Sequence, residues 1–201
     1  MRSMWRRGLS VTGLLFLLPL SACTREVAWQ EEVVLNTGAR IDVQRKLTYQ
    51  RSGSPGNPFE MGWGTKPGGE LSFTWNGKVY VFSEHGRPLL VAISPRGVPV
   101  IVANAAIWQW DVRHNYGCKT PHYVQFEPDA SGRVWTWPPG VEPWVIGLPA
   151  NLLQLVPTPD QGSSRYTADQ VRAIAKTDLS GSEDRFVAPK YQPDYCNPKG
   201  S

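Results

Sequence analysis

Side chains that could bind a metal or act in catalysis cluster in the middle of the chain. His114, Cys118 and His122 are spaced four residues apart, and Cys196 could supply a fourth ligand. Nitrogen and sulfur ligands of this kind suit a tetrahedral zinc site. The alternative is a disulfide between Cys118 and Cys196, which would remove the thiolate that a cysteine nucleophile needs. Zinc motifs normally contain CxxC or HxxxH pairs and exported thiols are usually oxidised, so the sequence favours the disulfide.

Tryptophan is abundant and could form a binding surface. Trp135 and Trp137 are two residues apart on a predicted strand, so we expect them to share one face, and an extended segment would place Trp108 and Trp110 likewise. Such faces could stack on sugar rings or anchor a protein partner. The alternative, which we favour, is that these large side chains fill the core of a β-domain. The candidate binding surface consists of Trp63, Trp108, Trp110, His114, Tyr116, His122, Trp135 and Trp137.

Two other patterns resemble catalytic motifs but lack the required geometry. Glu31 and Glu32 are adjacent, and on a strand they would point to opposite faces, so they cannot share a substrate. The glycines between Gly62 and Gly69 do not have the order of a phosphate-binding loop, and a strand rather than a helix follows them. We assign them to a loop from Arg51 to Gly69. The sequence predicts no catalytic residue, no metal and no cofactor.

Short apolar segments separated by turn residues predict a mainly β fold of about eight strands joined as hairpins. The segments are 31–35 and 40–49, 71–75 and 78–82, 89–93 and 98–102, and 123–127 and 133–137. Asn76-Gly77 is the strongest turn signal, because a type I′ turn needs positive φ at both central residues. Hairpin order implies antiparallel pairing, hence an antiparallel sheet, a sandwich or an open barrel.

Helix is predicted only near the C-terminus. Residues 150–156 could form two turns, and Thr167 with Gln170 has the spacing of a capping box for a helix that ends near Leu179. The narrow apolar stripe of Val171, Ile174 and Ala175 predicts that this helix packs on the domain rather than inside it. Residues 180–201 are expected to form an irregular tail tied by the Cys196 disulfide.

The N-terminus has the layout of a bacterial export signal. Arg2, Arg6 and Arg7 precede an uncharged apolar run from Leu9 to Leu20, which is too short for the roughly 20 residues of a membrane-spanning helix. The run closes with Leu20-Ser21-Ala22-Cys23, which resembles the lipobox of bacterial lipoproteins.

This resemblance implies that residues 1–22 are a signal peptide and that Cys23 becomes the acylated N-terminus. Residues 23–29 are then expected to be a tether, and residues 30–201 a single periplasmic domain. Thr24, where inner-membrane lipoproteins tend to carry aspartate, implies an outer-membrane location. Two or three acyl chains would anchor the chain durably.

Composition narrows the possible partners. The net charge of +4 includes three leader arginines; without them, 18 basic residues face 17 acidic ones, so the mature chain carries +1. This balance gives no support to nucleic-acid binding. We therefore expect a lipid-anchored, non-catalytic binding or accessory protein with an envelope protein partner. The alternatives are an envelope hydrolase or metal-binding enzyme centred on His114 and His122, and a glycan-binding module using Trp135 and Trp137.

Overall fold

The computed structural model describes residues 24–52, 62–84, 87–104, 123–137, 140–154, 157, 164–178 and 187. This part of the chain contains nine β-strands, a short 3₁₀ turn (Pro143–Val145) and one α-helix, α1 (Ala168–Asp178). The strands are β1 (Thr24–Val34), β2 (Arg40–Ser52), β3 (Gly62–Trp75), β4 (Lys78–Glu84), β5 (Arg87–Ile93), β6 (Pro99–Asn104), β7 (Tyr123–Pro128), β8 (Trp135–Thr136) and β9 (Arg165–Tyr166).

The strands form two sheets that pack as a β-sandwich. Sheet A has the order β4-β3-β2-β1-β9, and sheet B has the order β5-β6-β7-β8. Consecutive strands from β1 to β4 and from β5 to β8 pair antiparallel, whereas the two-residue strand β9 lies parallel to β1. The mainly β class and the short C-terminal helix predicted from the sequence are confirmed.

The predicted turns explain the hairpins. Asn76 and Gly77 have φ angles of 48° and 75°, the left-handed values that a type I′ turn requires between β3 and β4. At the start of α1, the Thr167 backbone N–H donates to the Gln170 side chain at 2.8 Å, and the Gln170 N–H donates to the Thr167 hydroxyl at 3.3 Å. This reciprocal pair is the predicted capping box.

The main core lies between the sheets. Its buried members include Val33, Val43, Leu71, Phe73, Phe82, Val91, Ile101 and Phe126. A second apolar cluster on the outer face of sheet B packs Leu90, Val102 and Tyr123 against Val145 and Val187. Strands β5 and β6 are therefore buried on both faces, which accounts for their nearly continuous apolar sequences.

Side chains seal two strand edges that would otherwise present open backbone groups. Asn36 and Asn151 bond the backbone of Ile93 and Val91 in β5, each both donating to a carbonyl and accepting from an N–H at 2.8–2.9 Å. The Asn151 amide also donates to Val34 in β1 at 3.0 Å. Asn151 thus joins sheet A to sheet B where the chain provides no ladder of hydrogen bonds.

The edge of β4 is covered in a similar way. The Val81 N–H donates to the Gly132 carbonyl at 3.0 Å, and the Trp135 indole N–H donates to the Val81 carbonyl at 2.7 Å. A Cβ atom on Gly132 would stand 2.9 Å from the Val79 carbonyl oxygen, so glycine permits this close approach.

Three sequence-based assignments need correction. Residues 24–29, expected to be a tether, form the first half of β1, because Val27 and Trp29 alternate with outward-facing residues and are buried. Residues 62–69 of the predicted Arg51–Gly69 loop belong to β3, and Arg51 and Ser52 belong to β2. Segment 53–61 lies outside the described residues.

The third correction concerns the helix expected at 150–156. Residues 150–154 are not helical, because their groups are used by surrounding elements. Leu152 is buried in the main core, whereas Leu153 packs in a separate cluster with Val27 and Trp29. The backbone N–H groups of Asn151 and Leu152 both donate to the Leu89 carbonyl at 3.1 Å. A helix could not send adjacent leucines into different clusters in this way.

Candidate functional site

The long strands of sheet A extend past the described strands of sheet B and leave a part of the inner face that those described strands do not cover. Strands β1 to β3 have 11, 13 and 14 residues, whereas β5 to β7 have seven, six and six. We call this part the overhang and define it by the inward-facing residues Val27, Trp29, Glu31, Arg45, Leu47, Tyr49 and Trp63. Among the described residues, its cover comes from Leu153, Tyr166 and Ile174.

A buried ion pair lies at the centre of the overhang. The Arg45 guanidinium donates to Glu31 Oε1 at 3.1 Å, and the exposed fractions of the two side chains are 6% and 0%. The Trp29 indole N–H donates to the same oxygen at 3.2 Å, and the Arg45 guanidinium lies 4.9 Å from the centre of the Trp29 ring. The pairing of β1 with β2 sets this arrangement, because Trp29 and Arg45 are directly opposite each other.

The ion pair holds the backbone of the segment that crosses over it. The Leu153 N–H donates to Glu31 Oε2 at 2.6 Å, and Arg45 donates to the Leu153 carbonyl at 2.9 Å. Glu31 and Arg45 therefore act on Leu153 as a neighbouring strand would. We call Glu31, Arg45 and the Leu153 backbone the clamp. Both carboxylate oxygens of Glu31 already accept hydrogen bonds inside the protein, so the clamp is a structural group rather than an acid or base open to a substrate.

Glu32 has a different structural use on the opposite face of β1. Its carboxylate accepts from the Ala168 N–H at the start of α1 at 3.0 Å and from Arg40 at 3.1 Å. The bond from Ala168, followed by that from Arg40, lowers the pKa of Glu32 below its ordinary value. Glu31 and Glu32 lie on opposite faces of β1, as their adjacency on a strand predicts, and each one binds a different segment.

The two tryptophans predicted to form a shared face have different environments. Trp135 is 4% exposed and packs edge-on against Phe82 in the core, with ring centres 5.3 Å apart. Trp137 is 41% exposed, and its ring centre lies 6.2 Å from that of Phe126. Strand β8 ends at Thr136, so Trp137 sits at the rim of the core. A flat platform made of both indoles is excluded.

Trp63 lies where the overhang ends. It is half-buried against the overhang cluster, and the Arg51 guanidinium lies 5.8 Å from the centre of its ring. Tyr49, next in from this end, donates its hydroxyl to the Pro157 carbonyl at 2.8 Å. Burial raises the pKa of Tyr49 above its ordinary value.

A chain of polar groups on the outer face of sheet B is the other notable cluster. The buried Gln125 amide donates to Glu142 at 3.0 Å and to Glu127 at 3.3 Å, and the Trp144 indole donates to Glu142 at 2.6 Å. The Trp144 bond, followed by that from Gln125, lowers the pKa of Glu142. Because Gln125 also accepts from the Glu142 N–H, these contacts hold segment 141–150 against sheet B.

The remaining predicted site residues lie outside the described residues. They are Cys23, Trp108, Trp110, His114, Tyr116, Cys118, His122 and Cys196. The zinc and disulfide alternatives for Cys118 and Cys196 and the acylation of Cys23 stay predictions. Within the described ranges, no cluster of three or more histidine, cysteine or acidic side chains could hold a metal ion. The helix that the structure describes is too short and too polar to cross a membrane.

The clamp was not predicted, although its signal is visible in the sequence. Val27, Trp29, Glu31 and Val33 have the same parity on β1, so an acid stands at a position where apolar residues face inward. The turn at residues 36–38 places Arg45 on the same face of β2. An acid and a base at inward positions of one hairpin predict a buried pair. Comparison with known proteins found no matching family model, curated protein or solved structure.

Proposed function

We propose that this chain is a lipid-anchored lipoprotein of the bacterial outer membrane that faces the periplasm and acts as a non-catalytic binding or accessory protein. The observation that supports the proposal is how near the described sheet lies to the predicted acylation site. Strand β1 begins at Thr24, the residue directly after the predicted acylation site Cys23. Acylation of Cys23 would therefore attach the lipid directly to the described sheet.

The use of the acidic side chains supports a binding role over a catalytic one. Glu31 holds Leu153, Glu32 holds the start of α1, and Glu142 holds Gln125 and Trp144. Each of these carboxylates joins two elements of the fold, and such groups serve to position segments. A partner of the envelope would then recognise the assembled surface rather than undergo chemistry on it.

Metabolic labelling with palmitate tests the anchor. The full chain is expected to incorporate label and to fractionate with the outer membrane, whereas Cys23→Ala is expected to lose both the label and the membrane association. Thr24→Ala serves as the matched control, because it changes the neighbouring residue and keeps the thiol. Membrane association of Cys23→Ala at the level of the unaltered chain would contradict lipid anchoring.

The accessory role has a separate test. The anchored chain with a C-terminal tag is cross-linked in intact envelopes, and the captured material is identified and then re-tested with purified components. A protein partner that binds the purified chain directly supports the proposal. Peptidoglycan or polysaccharide as the captured material would favour glycan binding, and because Trp135 is buried, Trp137→Ala would be the variant to test. Hydrolysis of an envelope substrate that His114→Ala abolishes would contradict a non-catalytic role.

A further inference from the structure

Three strands of sheet A lie side by side next to the predicted anchor. Thr24 of β1 pairs with Gln50 of β2, and Gln50 pairs with Gly64 of β3. Strand β2 continues to Ser52, which pairs with Gly62. At about 3.3 Å per residue, β2 and β3 extend roughly 7 Å past the level of Thr24. We call this the anchor end and define it by Thr24, Arg25, Gln50, Arg51, Gly62, Trp63 and Gly64.

We propose that the anchor end rests on the phospholipid surface, with Arg51 and Trp63 in contact with anionic headgroups. This inference rests on the proposed acylation of Cys23. The peptide bond to Thr24 keeps the Cα atoms of the two residues about 3.8 Å apart. Because β1 begins at Thr24, no flexible tether separates the acyl chains from the sheet. The anchor therefore brings Arg51 and Trp63 to the level of the headgroups.

The chemistry of the anchor end matches such a surface. Tryptophan is enriched where membrane and water meet, because its indole is apolar in body and polar at the N–H. Arginine donates planar pairs of hydrogen bonds to phosphate oxygens. The Arg51 guanidinium lies 5.8 Å from the Trp63 ring centre, so both groups are presented at one place. Arg25 and Arg51 are exposed and are the charged residues that the structure describes within the anchor end.

The opposite end of sheet A offers matched controls. Val79 is exposed near the Asn76-Gly77 turn, and the exposed Arg133 lies in the turn that packs on β4. Trp63 pairs with Arg51 and Phe73 pairs with Val43, eight residues away on β2, so the Asn76-Gly77 turn lies more than about 26 Å from Trp63 along the sheet. That separation is several times the Debye length of about 8 Å at physiological salt, so Val79 and Arg133 do not sense a membrane at the anchor end.

Photocross-linking tests the orientation. The acylated full chain carries p-benzoylphenylalanine in place of Trp63 or of Val79 and is reconstituted into phosphatidylethanolamine vesicles containing radiolabelled phosphatidylglycerol. Lipid adducts are expected at position 63 and at background level at position 79. Thr65 is exposed two residues further along β3. It provides a second cross-linking position for the case in which replacement of the half-buried Trp63 disturbs folding. Palmitate label on Cys23 is measured in the same samples.

The outcomes separate the two proposals. Palmitate-labelled protein with adducts at positions 63 and 65 above those at 79 supports the orientation. Labelled protein with equal adducts at all three positions overturns the orientation and leaves the anchor intact. A soluble chain without palmitate overturns both.

The electrostatic contribution has its own readout. Arg51→Gln is expected to lower the lipid adduct at position 65 about fivefold, the effect of one basic residue near an anionic surface. Arg133→Gln is expected to leave that adduct unchanged. If Arg51→Gln and Arg133→Gln give the same amount of lipid adduct at position 65, the proposed role of Arg51 at the headgroups is overturned.

Discussion

The two halves of sheet A's inner face are packed by different chemistry. Where sheet A faces sheet B, buried side chains such as Val33, Val43 and Phe82 meet Ile101 and Phe126, and the contact is apolar throughout. In the overhang, the described cover comes from the irregular segment at Leu153 together with β9 and α1, and the buried face includes a carboxylate and a guanidinium.

The difference follows from what covers each half of the inner face. A sheet satisfies its own backbone groups, so another sheet can pack on it with apolar side chains alone. An irregular segment brings unpaired N–H and C=O groups into the interior, where each needs a partner. Glu31 and Arg45 supply both partners to Leu153. A buried ion pair on a strand can therefore be a substitute for a missing neighbouring strand.

The largest expected effect comes from breaking the clamp. Glu31→Ala leaves Arg45 buried without its carboxylate and the Leu153 N–H without an acceptor. We expect the free energy of unfolding to fall by about 3–5 kcal/mol, measured by urea denaturation. The double variant Glu31→Leu with Arg45→Met removes both charges and is expected to recover only part of the loss, because no unpaired charge remains but the Leu153 N–H and carbonyl lose their partners.

A loss below about 1 kcal/mol for Glu31→Ala, as is usual for exposed ion pairs, would break the comparison. It would mean that water reaches Arg45 and that the two halves do not differ in the way proposed. A double variant less stable than Glu31→Ala would show that the hydrogen bonds to Leu153 outweigh the cost of one unpaired buried charge.

The sandwich half is tested by an apolar truncation of slightly smaller effect. Ile101 is fully buried between the sheets, and Ile101→Ala is expected to reduce stability by about 3 kcal/mol through lost transfer energy and a residual cavity. Ile101→Val, the conservative control, is expected to cost about 1 kcal/mol. Combined with Glu31→Ala, the losses should add within about 0.5 kcal/mol, because the clamp and the main core share no side-chain partner in the described contacts. Losses that differ strongly from this sum would show that the clamp and the main core are energetically coupled.

The same comparison shows what could be predicted from the sequence. The hairpins of the sandwich half were predicted because turn residues and apolar alternation are local signals, as at Asn76-Gly77. The predicted strand 31–35 covers only the last part of β1, because the alternation of Val27 and Trp29 spans too few residues to indicate a strand on its own. The short strand β9 pairs with β1 across more than a hundred residues, and no local pattern indicates such a contact.

The site was harder to predict than the fold, because burial depends on contacts between distant segments. Trp135 and Trp137 have the same parity, yet only Trp135 has β4 beside it to accept its indole hydrogen bond. The apolar sequence around Leu152 and Leu153 suits a short helix. The segment is not helical because the Asn151 side chain accepts from the Val91 N–H and Glu31 accepts from the Leu153 N–H. A local pattern cannot say which of two clusters each leucine enters.

The side-chain bridge between the sheets should have a moderate effect. Asn151→Ala removes three hydrogen bonds to Val34 and Val91, and we expect a loss of about 2 kcal/mol in urea denaturation. Asn36→Ala removes two bonds to Ile93 at an exposed position, where water can replace them, so its loss should be smaller. Equal losses would show that the bond to Val34 does not strengthen the junction of the halves.

The far end of the overhang should respond to alkaline pH. Tyr49→Phe removes the hydrogen bond to Pro157, and we expect a loss of about 1 kcal/mol at neutral pH. Burial raises the pKa of Tyr49 above its ordinary 10.0, so the unfolded chain ionises first, and this tyrosine's contribution declines as pH rises through 10.0. Urea denaturation at pH 8 and at alkaline pH should show that the free energies of unfolding of the unaltered protein and of Tyr49→Phe converge as pH rises. A constant difference would place the Tyr49 hydroxyl in water.

The smallest effect concerns the outer face of β1, which distinguishes the two adjacent acids. The pKa of Glu32 is held below 4.5 by its bonds from Ala168 and Arg40, so its stabilising effect is present above pH 4.5 and is lost as pH falls through the folded-state value. Glu32→Gln should therefore be less stable than the unaltered protein at neutral pH and should approach it in acid, with less helix at α1 by circular dichroism. Glu70→Gln, on an outward position of β3, is the matched control and should leave α1 unchanged. If Glu32→Gln keeps the neutral-pH stability and the helix, α1 is held by its capping box and by Val171 alone. Glu31 would then be the one acid of the pair on which the fold depends.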